Sequence, residues 1–291
     1  MAFNLRAFRT RTLTAAVFVI VMLTGLLLSH WSFLILFSVI HTGCWIEYQR
    51  LIGMIDADYK TITPFHRYGV IIAGLGFMLW MTSGIYHIGN INLNETGLWL
   101  MYVLLIAVPV VEIVLSKQFN LKLLSYSLLG LIYISLSMGL MIALRTEGFI
   151  FENTPFSIDF GWIIPIILIA TLWINDTMAY IIGSLIGHTP FSKVSPNKTW
   201  EGTLGGALLS VSIVTLISHA VFQSDYLPVF LIALITVVMG TAGDLLESKL
   251  KRLAGAKDSG NIMPGHGGFL DRFDSLLIAT PFVWLFVKLF V

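Results

Sequence analysis

The sequence predicts an all-α polytopic membrane protein of about nine transmembrane helices, N-terminus cytoplasmic and C-terminus on the far side. Three observations predict it. Hydrophobic residues make up 57% of the chain and charged residues 11%, with a mean hydropathy of +0.87. A soluble domain this apolar would expose large greasy patches. Apolar runs recur at the length that crosses a hydrocarbon layer, about 20 residues. The basic residues between those runs fall almost entirely on alternate connections.

The runs cover residues 12–29, 31–48, 68–86, 97–116, 122–144, 161–187, 203–222, 228–248 and 273–291. Only His30 and its neighbours separate the first two, so these read as a tight helical hairpin. With the N-terminus in the cytoplasm, Arg6, Arg9, Arg11, Arg50, Lys60, Arg67, Lys117, Lys122, Lys193, Lys198, Lys249, Lys251, Arg252, Lys257 and Arg272 all share that side. Only Arg145 and Lys288 of the 17 basic residues fall opposite. Adding or removing one span would scramble this partition. The expected organisation is one integral membrane unit. Residues 1–160 carry spans one to five, and residues 161–291 carry spans six to nine with the charge-rich cytoplasmic loops.

Composition also excludes. A formal net charge of +1 gives no global field for nucleic acid. The single cysteine, Cys44, cannot form an intrachain disulfide and reads as a small core residue. Arg6, Arg9 and Arg11 precede a long apolar run with no small-x-small cleavage site, which reads as a first membrane helix and not as a signal peptide.

Three polar constellations fall on the cytoplasmic side. In the sixth span, Asp176, Tyr180, Ser184 and Gly187 share one helical face. Asp176 lies about 22 Å along that helix, in the inner third of the hydrocarbon layer. A carboxylate there needs a polar cavity, a cation or a base. Next comes the loop His188 to Gly202. Ser195-Pro196 breaks helix, and Asn197, Lys198 and Thr199 lead into a glycine-rich helix start. A lysine, hydroxyls and free N–H groups at a helix start suit a phosphate. A plain alternative is a basic loop meeting lipid headgroups.

The third constellation is the densest. Asp244, Glu247, Ser248, Lys251 and Arg252 form one helical face at the cytoplasmic end of the eighth span. A turn from Lys257-Asp258 to His266-Gly267-Gly268 follows, rich in glycine. Asp271 and Asp274 then sit three residues apart at the mouth of the last span, with Arg272 between them. Hard carboxylate oxygens at this density suit Mg²⁺. His266 reads better as a phosphate hydrogen-bond partner or loop anchor than as a ligand to that metal. The plain alternative is a salt-bridged, solvated loop beside the membrane.

The run Ser248-x-Leu250-Lys251-Arg252, Lys257-Asp258-x-Gly260, Met263-Pro264-x-His266-Gly267-Gly268-Phe269-x-Asp271-Arg272-Phe273-Asp274 resembles the signature of phosphatidate cytidylyltransferases, the CDP-diacylglycerol synthases. Met263 stands where that pattern has Leu, Ile or Phe. Asn175-Asp176-Thr177-x-Ala179-Tyr180 and Ser195 through Gly202 resemble upstream motifs of that family, and Trp45-x-Glu47-Tyr48 a weaker one. The resemblance covers the C-terminal 120 residues or so by motif and the rest as hydropathy.

The resemblance implies a membrane enzyme of phospholipid biosynthesis that converts CTP and phosphatidate to CDP-diacylglycerol and pyrophosphate. It implies a place in the lipid bilayer of a bacterial inner (plasma) membrane, with the site facing the cytoplasm. It implies Mg²⁺, with K⁺ as a candidate second cation. Asp244 and Asp271 are expected to hold the metal, with Asp176 and Asp274 as further candidates. Lys198, Lys257 and Asp258 join Asp244 and Asp271 as the expected catalytic set. Ser195, Asn197, Thr199, Ser248, Lys251, Arg252, His266, Gly267, Gly268, Arg272 and Tyr180 are expected around the substrates. Small residues such as Gly205 and Gly206 leave a homodimer open, since they suit helix packing within or between subunits.

Rival readings are weaker. A polyprenol kinase or archaeal-type CDP-lipid synthase would share parts of the chemistry but not the full Lys-Asp, His-Gly-Gly, Asp-Arg-Phe-Asp pattern. A cation or phosphate transporter needs charges along a path across the membrane, and these cluster on one side. The motif of CDP-alcohol phosphotransferases is absent.

Overall fold

The computed structural model describes residues 5–116, 120–147, 161–192, 194–196, 198–261 and 267–291. Among them, helices stand at all nine predicted positions. The chain runs α1 (Leu5–Leu27), α2 (His30–Ile55), a 3₁₀ turn (Ala57–Thr61), α3 (Pro64–Trp80) and a two-residue antiparallel ladder, β1 (His87–Ile88) with β2 (Ile91–Asn92). Then come α4 (Leu93–Leu115), α5 (Leu121–Gly130), a π turn (Leu131–Leu136), α6 (Ser137–Glu147), α7 (Ile163–Ile186), α8 (Trp200–Phe222), α9 (Tyr226–Leu253) and α10 (Leu270–Phe290).

Six of these stretches are long and apolar enough to cross a membrane: α4, the continuous Leu121–Thr146, α7, α8, α9 and α10. The protein is thus an all-helical polytopic membrane protein, apart from the small ladder. The first three helices are less clear-cut. The apolar part of α1, Thr12–Leu27, is short. Helix α2 carries Glu47 and Arg50, and α3 has 17 residues. Helix α3 starts earlier than the hydropathy suggests because Thr63 caps it and Pro64 pre-sets its first turn. It ends at Trp80, where Ser83 and Gly84 adopt positive φ.

The chain divides into two compact units, Met1–Ile142 with Leu250–Phe273, and Ala143–Lys249 with Asp274–Val291. In the first unit, α1 and α2 form the expected hairpin. Ser29 and Ser32 make a reciprocal capping box at its turn, and Gly25 lets Leu36 approach closely. Helices α3 and α4 pack through Gly76 and Gly97, where a Cβ would strike the opposing backbone. The π turn between α5 and α6 carries Ser135. Its hydroxyl meets both Trp45 Nε1 (2.9 Å) and His41 Nε2 (2.8 Å) in the buried core of α2.

In the second unit, α7 and α8 lie against each other through small residues. A Cβ on Gly202 would meet Ala179 O at 2.7 Å, and one on Gly206 would meet the Ala179 backbone at 2.7 Å. Gly205 is covered by Ile182. The glycine stripe of α8 therefore packs within the chain. Gly243 of α9 faces Asp274 O of α10 at 2.5 Å from its Cβ position, so the base of these two helices is a close crossing.

Candidate active site

In the second unit, Lys198 pairs with Asp244. Residues 189–191 pair antiparallel with 198–200: Phe191 N–H donates to Lys198 O (2.7 Å) and Trp200 N–H to Thr189 O (2.9 Å). The Phe191 and Trp200 rings meet edge to face at 4.6 Å. Glu201 turns back to accept from His188 N and Thr189 N, both at 3.2 Å. Thr199 caps α8 by accepting from Gly202 N (3.1 Å). Lys198 is the residue just before this cap, so the loop fixes its backbone. Its Nζ reaches Asp244 Oδ2 on α9 and forms an ion pair. Lys198 and Asp244, both in the expected catalytic set, are thus in contact.

The first unit holds a further pair at the expected site residues, Lys251 with Asp271, apart from its Lys122–Asp56 pair. Helix α9 continues to Leu253, well past the end of its apolar run, and so carries Lys251 on ordered helix. Gly255, at φ +65°, ends it: Ala256 N–H returns to Lys251 O (2.9 Å) and Gly255 N–H to Arg252 O (3.1 Å). Lys251 Nζ donates to Asp271 Oδ1 at 2.7 Å. Asp271 Oδ2 accepts from Ser259 N (2.9 Å), Ser259 Oγ (3.0 Å) and Gly268 N (2.8 Å). Gly267 has φ +81° and abuts this carboxylate, a conformation and a space that favour glycine.

Glu47 completes this cluster, and the expected site set did not include it. Its side chain is buried and lies at the N-terminus of α10. Glu47 Oε1 accepts from Phe269 N (2.9 Å), while Oε2 accepts from Leu270 N (2.8 Å) and Ser259 Oγ (2.7 Å). Asp271 N–H in turn donates to Ser259 Oγ (3.2 Å). Glu47 thus caps α10 from α2, where the free N–H groups and the helix dipole favour an anion. Gly260 and Gly268 lie so close that a Cβ on either would overlap its carboxylate. The signal for it was present: a carboxylate within an apolar helix, inside Trp45-x-Glu47-Tyr48.

The remaining expected residues divide by environment. Asp176 and Tyr180 are exposed on α7, and Asp274 is buried on α10. Ser195 accepts from Lys198 N in the loop between the paired segments (3.2 Å), and Ser248 is half-buried. Arg252, Lys257 and Asp258 are exposed and make no ion pair with a described residue; Arg272 is exposed as well. Asn197 and His266 lie outside the described residues.

Among the described residues no three His, Cys, Asp or Glu side chains converge as a metal-holding group. Mg²⁺ does not require one: it is held through one or two carboxylates with waters and substrate phosphates. The donors here are hard oxygens, which fits that mode. Asp271 already meets four protein donor contacts, so a cation there competes with them; Asp244 is the less encumbered of the two.

Comparison with known proteins gives this geometry a context. A family model described as the cytidylyltransferase family matches residues 9–290. A phosphatidate cytidylyltransferase of Staphylococcus saprophyticus is 32% identical over 289 residues, covering 94% of this chain and 96% of that protein. One from Bacillus subtilis is 44% identical over 121 residues, 41% of this chain and 45% of that protein. One from Helicobacter pylori is 43% identical over 122 residues, 42% of this chain and 46% of that protein. Matched by the family model and by a relative along nearly all its length, the chain belongs to the cytidylyltransferase family.

Proposed function

We propose that this chain is a phosphatidate cytidylyltransferase: it transfers the cytidylyl group of CTP to phosphatidate, forming CDP-diacylglycerol and releasing pyrophosphate. The observation that carries this reading is the full-length similarity to a protein of that name. The two lysine–carboxylate clusters are consistent with it, because both substrates are polyanions.

A phosphate oxygen of phosphatidate attacks the α-phosphorus of CTP. The new P–O bond forms as the bond from the α-phosphorus to the bridging oxygen breaks, and pyrophosphate leaves with that electron pair. The nucleophile is already an anion, so no strong general base is required. The chain's task is positioning and charge compensation. Lys198 offers an ammonium that can pass from its carboxylate to a phosphate oxygen, while Lys251 stays on Asp271 and holds that carboxylate in place. Arg252 and Lys257, exposed and without a carboxylate partner among the described residues, supply further positive charge at the end of α9 and the turn beyond it. Asp244 and Asp271 would hold Mg²⁺, which supplies neutralisation of charge on the phosphate oxygens and on departing pyrophosphate.

We further infer nine spans with the N-terminus in the cytoplasm. That topology places both clusters, and α9's basic end, on the side where CTP is available. The test uses the purified full chain in neutral detergent with Mg²⁺. Pyrophosphate should appear only when CTP and phosphatidate are both present. Release of pyrophosphate without phosphatidate, or none with both, contradicts the assignment.

A further inference from the structure

Helix α2 carries Glu47 into the cluster above. Nearly one turn further on, Arg50 lines a cavity of about 500 Å³ between the end of α2, the 3₁₀ turn and the start of α3. That volume lies within the range of ligand pockets, roughly 300–1,000 Å³. Three basic side chains, Arg50, Lys60 and Arg67, line it, and it shares no lining residue with either lysine–carboxylate cluster.

The cavity wall is held in place. Arg67 Nη2 donates to Lys60 O (3.2 Å), and Gln49 Nε2 donates to Arg67 O (2.8 Å). Gly53 makes room for the Lys60 stem, whose Cγ lies 3.1 Å from where a Cβ would stand. None of the three basic groups pairs with a carboxylate among the described residues. The neighbouring acids are engaged elsewhere: Asp56 pairs with Lys122 (2.8 Å), and Glu112 accepts from Thr63 Oγ1 (2.6 Å) and meets His66. Three uncompensated positive charges around one cavity call for an anion.

The rest of the wall decides which kind. Ile46, Met54 and Tyr68 line the same cavity with 55%, 44% and 60% of their surfaces exposed. A free phosphate gains nothing from such a wall, whereas a lipid places its phosphate on the bases and its acyl chains along the apolar residues. We propose that this cavity binds the phosphate of an anionic phospholipid, at a site additional to the substrate clusters.

The test is native mass spectrometry of the full chain in neutral detergent micelles. Dioleoyl phosphatidylglycerol, dioleoyl phosphatidylethanolamine or inorganic phosphate is added in turn. The wild type should retain phosphatidylglycerol over phosphatidylethanolamine, and excess inorganic phosphate should not displace it. Arg50→Gln with Lys60→Gln should cut phosphatidylglycerol retention by about tenfold. Arg50→Lys with Lys60→Arg should retain it. Tyr68→Asp, at an exposed position that tolerates substitution, should also weaken retention and guards against misfolding of the double variant. Unchanged retention in both Arg50→Gln/Lys60→Gln and Tyr68→Asp overturns the proposal. Displacement by inorganic phosphate overturns its lipid part. Turnover of saturating phosphatidate in the double variant should stay within about twofold of wild type, since neither residue touches the reacting groups. Failure of this inference is thereby distinguishable from failure of the assigned reaction.

Discussion

The two lysine–carboxylate pairs differ in how they are held. Lys251 and Asp271 have side chains 16% and 11% exposed, and the carboxylate lies in a cradle of backbone N–H groups capped from behind by Glu47. Lys198 and Asp244 are 38% and 20% exposed, and the lysine comes from a loop fixed at its ends by antiparallel pairing and a helix cap. The first pair is a preorganised part of the fold. The second can exchange partners at little structural cost. The proposed reaction would use both behaviours: a fixed frame, and a cation that can leave its resting partner for a phosphate.

Asp271→Asn should break the comparison most severely. It leaves Lys251 without its charge and turns an amide toward backbone donors. Turnover should fall by about 10²-fold or more, and stability by about 3 kcal/mol, read as a lower melting temperature in detergent. A variant with wild-type melting and turnover would show that the cradle is ornamental.

Lys198→Ala should separate the two properties. Turnover should again drop by about 10²-fold, while an exposed pair contributes only about 0–1 kcal/mol. The melting temperature should therefore hardly move. A large thermal loss would place Lys198 with the structural pair.

Glu47→Gln should act through Asp271. One carbonyl oxygen remains for three donors, and the new NH₂ faces N–H groups. Stability should fall by about 1–3 kcal/mol, with turnover reduced by about tenfold through misplacement of Asp271. The stability loss should be fully present without substrate. If kcat is untouched while melting falls, Glu47 caps α10 without positioning the carboxylate.

The smallest effect is expected at Asp56. A hydrogen bond from Lys122 holds its carboxyl below the ordinary value of 3.8. The folded pKa is depressed, so the pair's contribution is present above that ordinary value and is lost as pH falls through the folded one. Asp56→Asn should lower melting slightly at neutral pH, and the gap from wild type should close in strong acid. A gap that persists there would assign the effect to packing.

Much of this was legible in the sequence. Helix positions followed from apolar length, because a lipid environment imposes it. The density of Asp244, Lys251 and Asp271 in a charge-poor chain was legible, but their partners were not: Asp244 meets Lys198, and Asp271 meets Lys251. Precise ends did not: α9 runs on to Lys251 and Arg252 because Gly255 supplies the left-handed stop, which hydropathy does not see. Glu47 stands in a recognisable motif, yet its contacts depend on α2 meeting the start of α10, more than 200 residues away in sequence. The cavity at Arg50, Lys60 and Arg67 was hidden for a related reason. In sequence they read as separate charges on one cytoplasmic connection, and only packing shows that they surround one space.

The most direct test of the assigned reaction is the mass of the lipid product. Purified full-length chain given CTP, Mg²⁺ and phosphatidate of defined acyl composition should yield CDP-diacylglycerol of the same acyl composition. Lys198→Ala and Asp271→Asn should yield little. If the wild type forms no CDP-diacylglycerol from phosphatidate of several chain lengths, the assignment is contradicted.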